Sequence, residues 1–116
     1  MAEKVVWFEV VGKDASKLQQ FYGQLFGWNV NADNPMNYGL VEAEEAGIGG
    51  GIGSAPDGTT QLTFYVGVDD PQSYLDKAES IGGKTVMPVT EIPNMVTFAL
   101  FADPEGNMVG VVKNDG

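Results

Sequence analysis

The chain repeats itself once. Residues 7–14, Trp-Phe-Glu-Val-Val-Gly-Lys-Asp, align with residues 63–70, Thr-Phe-Tyr-Val-Gly-Val-Asp-Asp, setting Phe8 on Phe64, Val10 on Val66 and Asp14 on Asp70. Carried on without a gap, the alignment puts Gly27 on Gly83 and Val30 on Val86. Such a long period leaves room for two copies. Each is then one supersecondary unit that cannot bury its apolar face alone and needs the other.

Each copy reads as a strand, a helix and three more strands. Segments 5–11 and 62–68 are rich in β-branched and aromatic residues and apolar on both faces, which predicts buried strands. Asp14 is placed to cap a helix whose apolar stripe is Leu18, Phe21, Tyr22, Leu25 and Phe26, the spacing of a core-facing side. Asp70 caps a second helix, with Pro71 at the first position, where a missing N–H costs nothing, and Tyr74, Leu75, Ala78 and Ile81 as its stripe. Gly27 and the pair Gly82-Gly83 end the two helices, because glycine tolerates the left-handed conformation there. Strands are expected at 28–32, 38–43 and 47–53, and again at 85–89, 95–102 and 108–113. The run Asp103-Pro104-Glu105-Gly106-Asn107 has the composition of a hairpin turn. Residues 54–59, with Pro56-Asp57-Gly58 inside, read as a linker between a first half, 1–53, and a second, 60–116. The expectation is a single α+β domain of two tandem βαβββ modules.

Several of these residues carry a family resemblance. Phe8-Glu9-Val10, Phe21-Tyr22 and Leu25-Phe26-Gly27-Trp28 stand in the first half. Val68-Asp69-Asp70, Gly82-Gly83-Lys84 and Phe101 to Asn107 stand in the second. Over essentially its whole length the chain resembles the vicinal-oxygen-chelate superfamily of glyoxalases, bleomycin-resistance proteins and dioxygenases. The resemblance implies the glyoxalase/bleomycin-resistance fold, in which the two modules form a partly open, curved β-barrel with the ligand on its inner face. It also implies a homodimer. Metal-using members place their ligands at the start of the first strand and in the last strand of each half. Those positions correspond here to Trp7 and Gly51, then Thr63 and Gly110, with the last strands matched at an offset of 59.

The residues present argue against the metal. Trp and Gly offer no side-chain donor, and Thr is a poor one. The chain has no histidine and no cysteine, which also removes thiol chemistry, disulfides, Cys/His zinc sites and His-dependent triads. The cluster Glu42, Glu44 and Glu45 reads as a solvated strand end and turn. A member with no metal and no cofactor is therefore expected.

Strand alternation then selects a ligand face. If Trp7 and Thr63 point inward, so do Glu9 and Tyr65, while Phe8, Val10, Phe64 and Val66 face the helices. The third strands contribute Tyr38 or Gly39 and Thr97 or Phe98. The expected ligand-binding set is Trp7, Glu9, Tyr38, Gly51, Thr63, Tyr65, Thr97 and Gly110. Trp7 either stacks on a planar ligand or fills the volume a metal would take. Glu9, a carboxylate among apolar neighbours, suits a general acid or base, or else is a hydrogen-bonded residue at the barrel mouth. Tyr65 either donates to a ligand oxygen or packs. Glycines 49, 51 and 53 strip one strand face, which permits either close backbone approach or open space.

Sixteen acidic against six basic residues give a net charge of −10, a surface that repels phosphate backbones and anionic lipid. No apolar run is long enough to span a bilayer, so a cytoplasmic location is expected. Two functions fit these residues. One is metal-independent binding of a planar or aromatic small molecule. The other is a metal-free isomerase, epimerase or lyase using Glu9 as general acid/base and Tyr65 or Thr63 as a donor.

Overall fold

The computed structural model describes residues 2–114. They divide into two compact units, residues 6–63 and residues 2–5 with 64–114. The first contains most of β1 (Lys4–Gly12), then α1 (Ala15–Phe26), β2 (Gly39–Val41), the short α2 (Ala43–Ala46) and β3 (Gly49–Ser54). The glycine-rich β3 lies between two partners, antiparallel to β2 and parallel to β1, with Trp7 opposite Gly49 and Glu9 opposite Gly51. Helix α1 starts where the sequence says it should: Asp14 is extended and its Oδ1 accepts from the Lys17 N–H at 3.1 Å. It stops at Gly27, whose φ of 75° closes an N–H bond back to the Gly23 carbonyl. Ala15, Val41 and Ile52 are buried.

Three expectations fail in this unit. The strand at 28–32 is reduced to a single bridge between Asn31 and Leu40. Local bonding explains it: the Asn31 Oδ1 accepts from the Asp33 N–H at 3.0 Å and the Ala32 carbonyl from the Asn34 N–H at 2.8 Å, drawing the chain away from a ladder. The helix turn α2 appears where the end of a strand was expected. The stripe on α1 also departs from the core reading, because Phe21, Leu25 and Phe26 are exposed and only Ala15 of the helix is buried.

The second unit holds most of β4 (Gln61–Val68), then α3 (Pro71–Ser80), β5 (Lys84–Ile92), β6 (Val96–Ala102) and β7 (Met108–Lys113). Strand β4 runs parallel to β7, which pairs antiparallel with β6, and β6 with β5. Asp70 caps α3 through the Gln72 N–H at 3.2 Å, with Pro71 at the first position. Val68, Leu75, Ala99 and Val111 form the core, with Val66, Tyr74 and Phe101 packed on it. Strand β5 outruns its predicted end, and its register slips on both sides of Met87, next to Pro88, which has no N–H to give a ladder. Tyr65 lies opposite Gly110 as Glu9 lies opposite Gly51. The internal repeat, with its offset of 59 in the last strands, is thus reproduced in strand register.

The 103–107 turn is built on one carboxylate. Asp103 Oδ1 accepts from the Glu105 and Asn107 N–H groups, each at 2.9 Å, and Oδ2 from Asn107 Nδ2 at 2.9 Å. These bonds, those from Asn107 foremost, hold the carboxyl below the usual aspartate range. A depressed folded value means that the stabilisation is complete above the unfolded value and is lost as pH falls through the folded one. Asp103→Ala should therefore lower the melting temperature at neutral pH. The gap to the parent protein should close in strong acid, as followed by circular dichroism.

Candidate functional site

In the first unit, alternation puts Trp7, Glu9 and glycines 49, 51 and 53 on one sheet face. Tyr38 lies across that face. Its Oη donates to Glu9 Oε2 at 2.7 Å and accepts from Trp7 Nε1 at 3.2 Å, making a continuous row of indole, phenol and carboxylate. The glycines are what let the rings lie there. A Cβ on Gly51 would sit 2.0 Å from Tyr38 Cζ and Oη, one on Gly53 2.8 Å from its Cδ1, and one on Gly49 3.1 Å from the Trp7 ring. Of the two readings of the glycine run, close approach is the one the structure shows. The approaching groups are aromatic side chains of the same chain.

Tyr38 is held from its backbone as well. The Asn34 side chain donates to the Tyr38 carbonyl at 2.8 Å and accepts from its N–H at 3.0 Å. Gln19 Nε2 donates to the Asn37 and Ile52 carbonyls at 2.9 and 2.8 Å, tying the segment before Tyr38 to α1 and β3. Asn37 adopts a left-handed φ of 52°, a conformation asparagine tolerates better than most residues. Gly39 packs against Val30 and Gln19 instead, so the phase left open by the sequence resolves to Tyr38. Sequence reasoning missed Asn34, Asn37 and Gln19. Their only signal was an asparagine-rich segment ahead of an aromatic residue.

In the second unit the Tyr65 ring covers Gly110, where a Cβ would lie 2.2 Å from Cδ2 and Cε2. Phe98 meets Tyr65 edge-on, with ring centroids 6.4 Å apart. That contact corrects one expectation. Thr97 alternates with Phe98 and falls on the side of Ala99, which is buried with Leu75 and Val111, so Phe98 shares the Tyr65 face and Thr97 does not. Thr63 is 9% exposed, and its Oγ1 accepts from Gln61 Nε2 at 3.2 Å.

The donor set does not suit the superfamily's divalent ion. The strand faces at Gly51 and Gly110 are occupied by the Tyr38 and Tyr65 rings. Among the described residues no three His, Cys, Asp or Glu side chains come together as a metal would require.

The model of the glyoxalase-like domain family matches residues 7–112. The chain belongs to that family. A protein described as a candidate glyoxylase, CFP32, from Mycobacterium bovis and Mycobacterium tuberculosis is 31% identical over 114 residues. The match takes in 90% of this chain and 43% of the relative, so the chain spans less than half the length of those curated proteins. Among solved structures, a superfamily member from Vibrio splendidus superposes with a TM-score of 0.65 at 14% identity, covering 97% of this chain and all of the other. Methylmalonyl-CoA epimerase from M. tuberculosis superposes at 0.69 with 11% identity, covering 97% and 88%. At such identities these structures establish the glyoxalase/bleomycin-resistance fold and nothing finer. Among the described residues no helix of this glyoxalase-like protein is long and apolar enough to cross a membrane.

Proposed function

We propose that this glyoxalase-like protein binds a planar small molecule without a metal ion, on the face carrying Trp7, Tyr38 and Glu9. The observation that carries the reading is the hydrogen-bonded row from Trp7 Nε1 through Tyr38 Oη to Glu9 Oε2. Two aromatic rings offer flat apolar surface, and an ionised carboxylate is an acceptor only, so the fitting ligand is a planar or aromatic compound bearing an N–H or O–H donor. Gly51 joins the proposal as the seat of the Tyr38 ring and Thr63, of the same unit, as a hydroxyl-bearing contact; in the second unit Tyr65, seated on Gly110, offers a hydroxyl-bearing aromatic face of the same kind. With a net charge of −10, nucleic acid and anionic membranes are excluded as partners on this reading, and a cytoplasmic location is retained with it.

A thermal-shift screen of planar donor-bearing compounds, read together with tryptophan fluorescence, tests the proposal. Saturable shifts that survive exhaustive chelation are expected. Stoichiometric metal in the purified protein, with binding lost on chelation, would overturn it.

One observation favours a second reading. Tyr38 Oη fixes the Glu9 carboxylate at 2.7 Å, the kind of orientation a general acid or base needs. An isomerase, epimerase or lyase using Glu9 would suit that geometry, and one solved structure with this fold is an epimerase.

A further inference from the structure

The ligand face has a sign as well as a shape. Tyr38 Oη donates to Glu9 Oε2 at 2.7 Å. A phenol is a neutral donor, so this bond orients the carboxylate without cancelling its charge. An ionised carboxylate offers about four acceptor positions, and Tyr38 fills one, so a donor from a ligand can be added.

The rings beside it carry the same polarity. One side of each is taken up by β3, with Trp7 against Gly49 and Tyr38 spanning Gly51 and Gly53. The other side is turned away from the strand and presents the electron-rich face of an indole and a phenol, which attract a cation. Trp7, Glu9 and Tyr38 are all partly exposed, so a ligand can reach them. Residues 6–63 hold seven acidic side chains and two basic ones, Lys13 and Lys17. Both lysines line the cleft at the start of α1, whose lining includes none of Trp7, Glu9 and Tyr38. The net charge of −10 adds a field that draws cations in and turns anions away.

Shape narrows the class. A compact ammonium would satisfy the carboxylate but leave the flat ring surfaces uncovered. A delocalised planar cation does both, because its N–H fork pairs with a carboxylate in plane while its faces stack on aromatic rings. We infer that the ligand is a planar organic cation of the amidinium or guanidinium class, paired with Glu9 and stacked on Trp7 and Tyr38. The inference rests on the assignment of this face to ligand binding and gives the ligand its charge.

Three probes of one shape test it: benzamidinium, neutral benzamide and anionic benzoate, each titrated calorimetrically into the full chain. Benzamidinium should bind at least about tenfold more tightly than benzamide, and benzoate should not bind. The benzamidinium affinity should fall as ionic strength rises, and that of benzamide should not. Glu9→Gln, with unchanged circular dichroism, should bring the two affinities together. Glu44→Gln, on the exposed α2, should leave the preference as it was. Trp7→Leu should weaken benzamidinium more than benzamide, and an equal loss counts against the cation. Equal binding of benzamidinium and benzamide to the parent protein would overturn the inference and leave the planar-ligand proposal in place. So would a cation preference that survives in Glu9→Gln, since the acidic surface at large would then be reading the charge. If none of the three binds, the inference falls, and the planar-ligand proposal falls with it only if the thermal-shift screen is blank as well.

Discussion

Gly51→Ala is expected to destabilise the protein by about 2–4 kcal/mol, the sum of an overpacked contact and a disrupted hydrogen-bond row. In an ordinary strand the sign would be opposite, since alanine loses less backbone freedom than glycine by roughly 0.5–1 kcal/mol. Here the new methyl falls 2.0 Å from the Tyr38 ring, closer than real Cβ contacts come. The ring must leave its seat, and with it go the bonds to Glu9 and Trp7. Urea unfolding with unchanged m-value measures the loss, and the emission of Trp7 reports the displaced phenol. The decisive comparison is a double-mutant cycle. In a Tyr38→Ala background Gly51→Ala should be neutral or stabilising, because nothing remains for the methyl to strike. If Gly51→Ala costs the same in both backgrounds, the ring does not sit where the structure puts it. Gly110→Ala with Tyr65→Ala makes the parallel test in the second module.

What the sequence disclosed follows from where each signal resides. Asp14, Asp70, Pro71 and Gly27 act on backbone groups within a few residues of themselves, so the helix ends could be read directly from the chain. The pairing of Glu9 with Gly51 and of Tyr65 with Gly110 was not read from the chain, because pattern and repeat mark which segments are strands and not which lie side by side. Tyr38 was a candidate with no fixed phase. Its orientation depends on Asn34 gripping its backbone and on Gln19 bridging two carbonyls, contacts that exist only after the loop has closed. The glycines had two readings because a bare strand face is the same whether a ligand or a ring lies on it. On β6 the choice between Thr97 and Phe98 turned on the burial of Ala99, a tertiary fact. The stripe on α1 was read as core since periodicity records that a face is apolar, and says nothing of what covers it.

Glu9→Gln separates the two functional readings and is expected to have the larger effect of any change on the ligand face. A hydrogen bond to a charged group contributes about 1.5–3 kcal/mol. If the Glu9 carboxylate accepts a donor from the ligand, its neutral amide should weaken binding by roughly ten- to a hundredfold, without loss of fold. Tyr38→Phe should act more mildly on binding, since the phenol ring stays on Gly51 while the hydroxyl that joins Trp7 to Glu9 is removed. Its cost should appear partly in stability, at about 1 kcal/mol, and partly as a change in Trp7 emission. The proton-transfer reading requires a different pattern. There Glu9→Gln leaves ligand affinity nearly intact and lowers turnover by about 10²–10⁴, and Tyr38→Phe shifts the pH profile because it orients the carboxylate. Titration calorimetry of both variants, alongside a deuterium-exchange assay for carbon acids, reads the two patterns in one set of samples. Affinity lost in Glu9→Gln with no exchange in the parent protein supports sequestration. Affinity kept with exchange abolished moves the assignment to an acid–base enzyme built on Glu9.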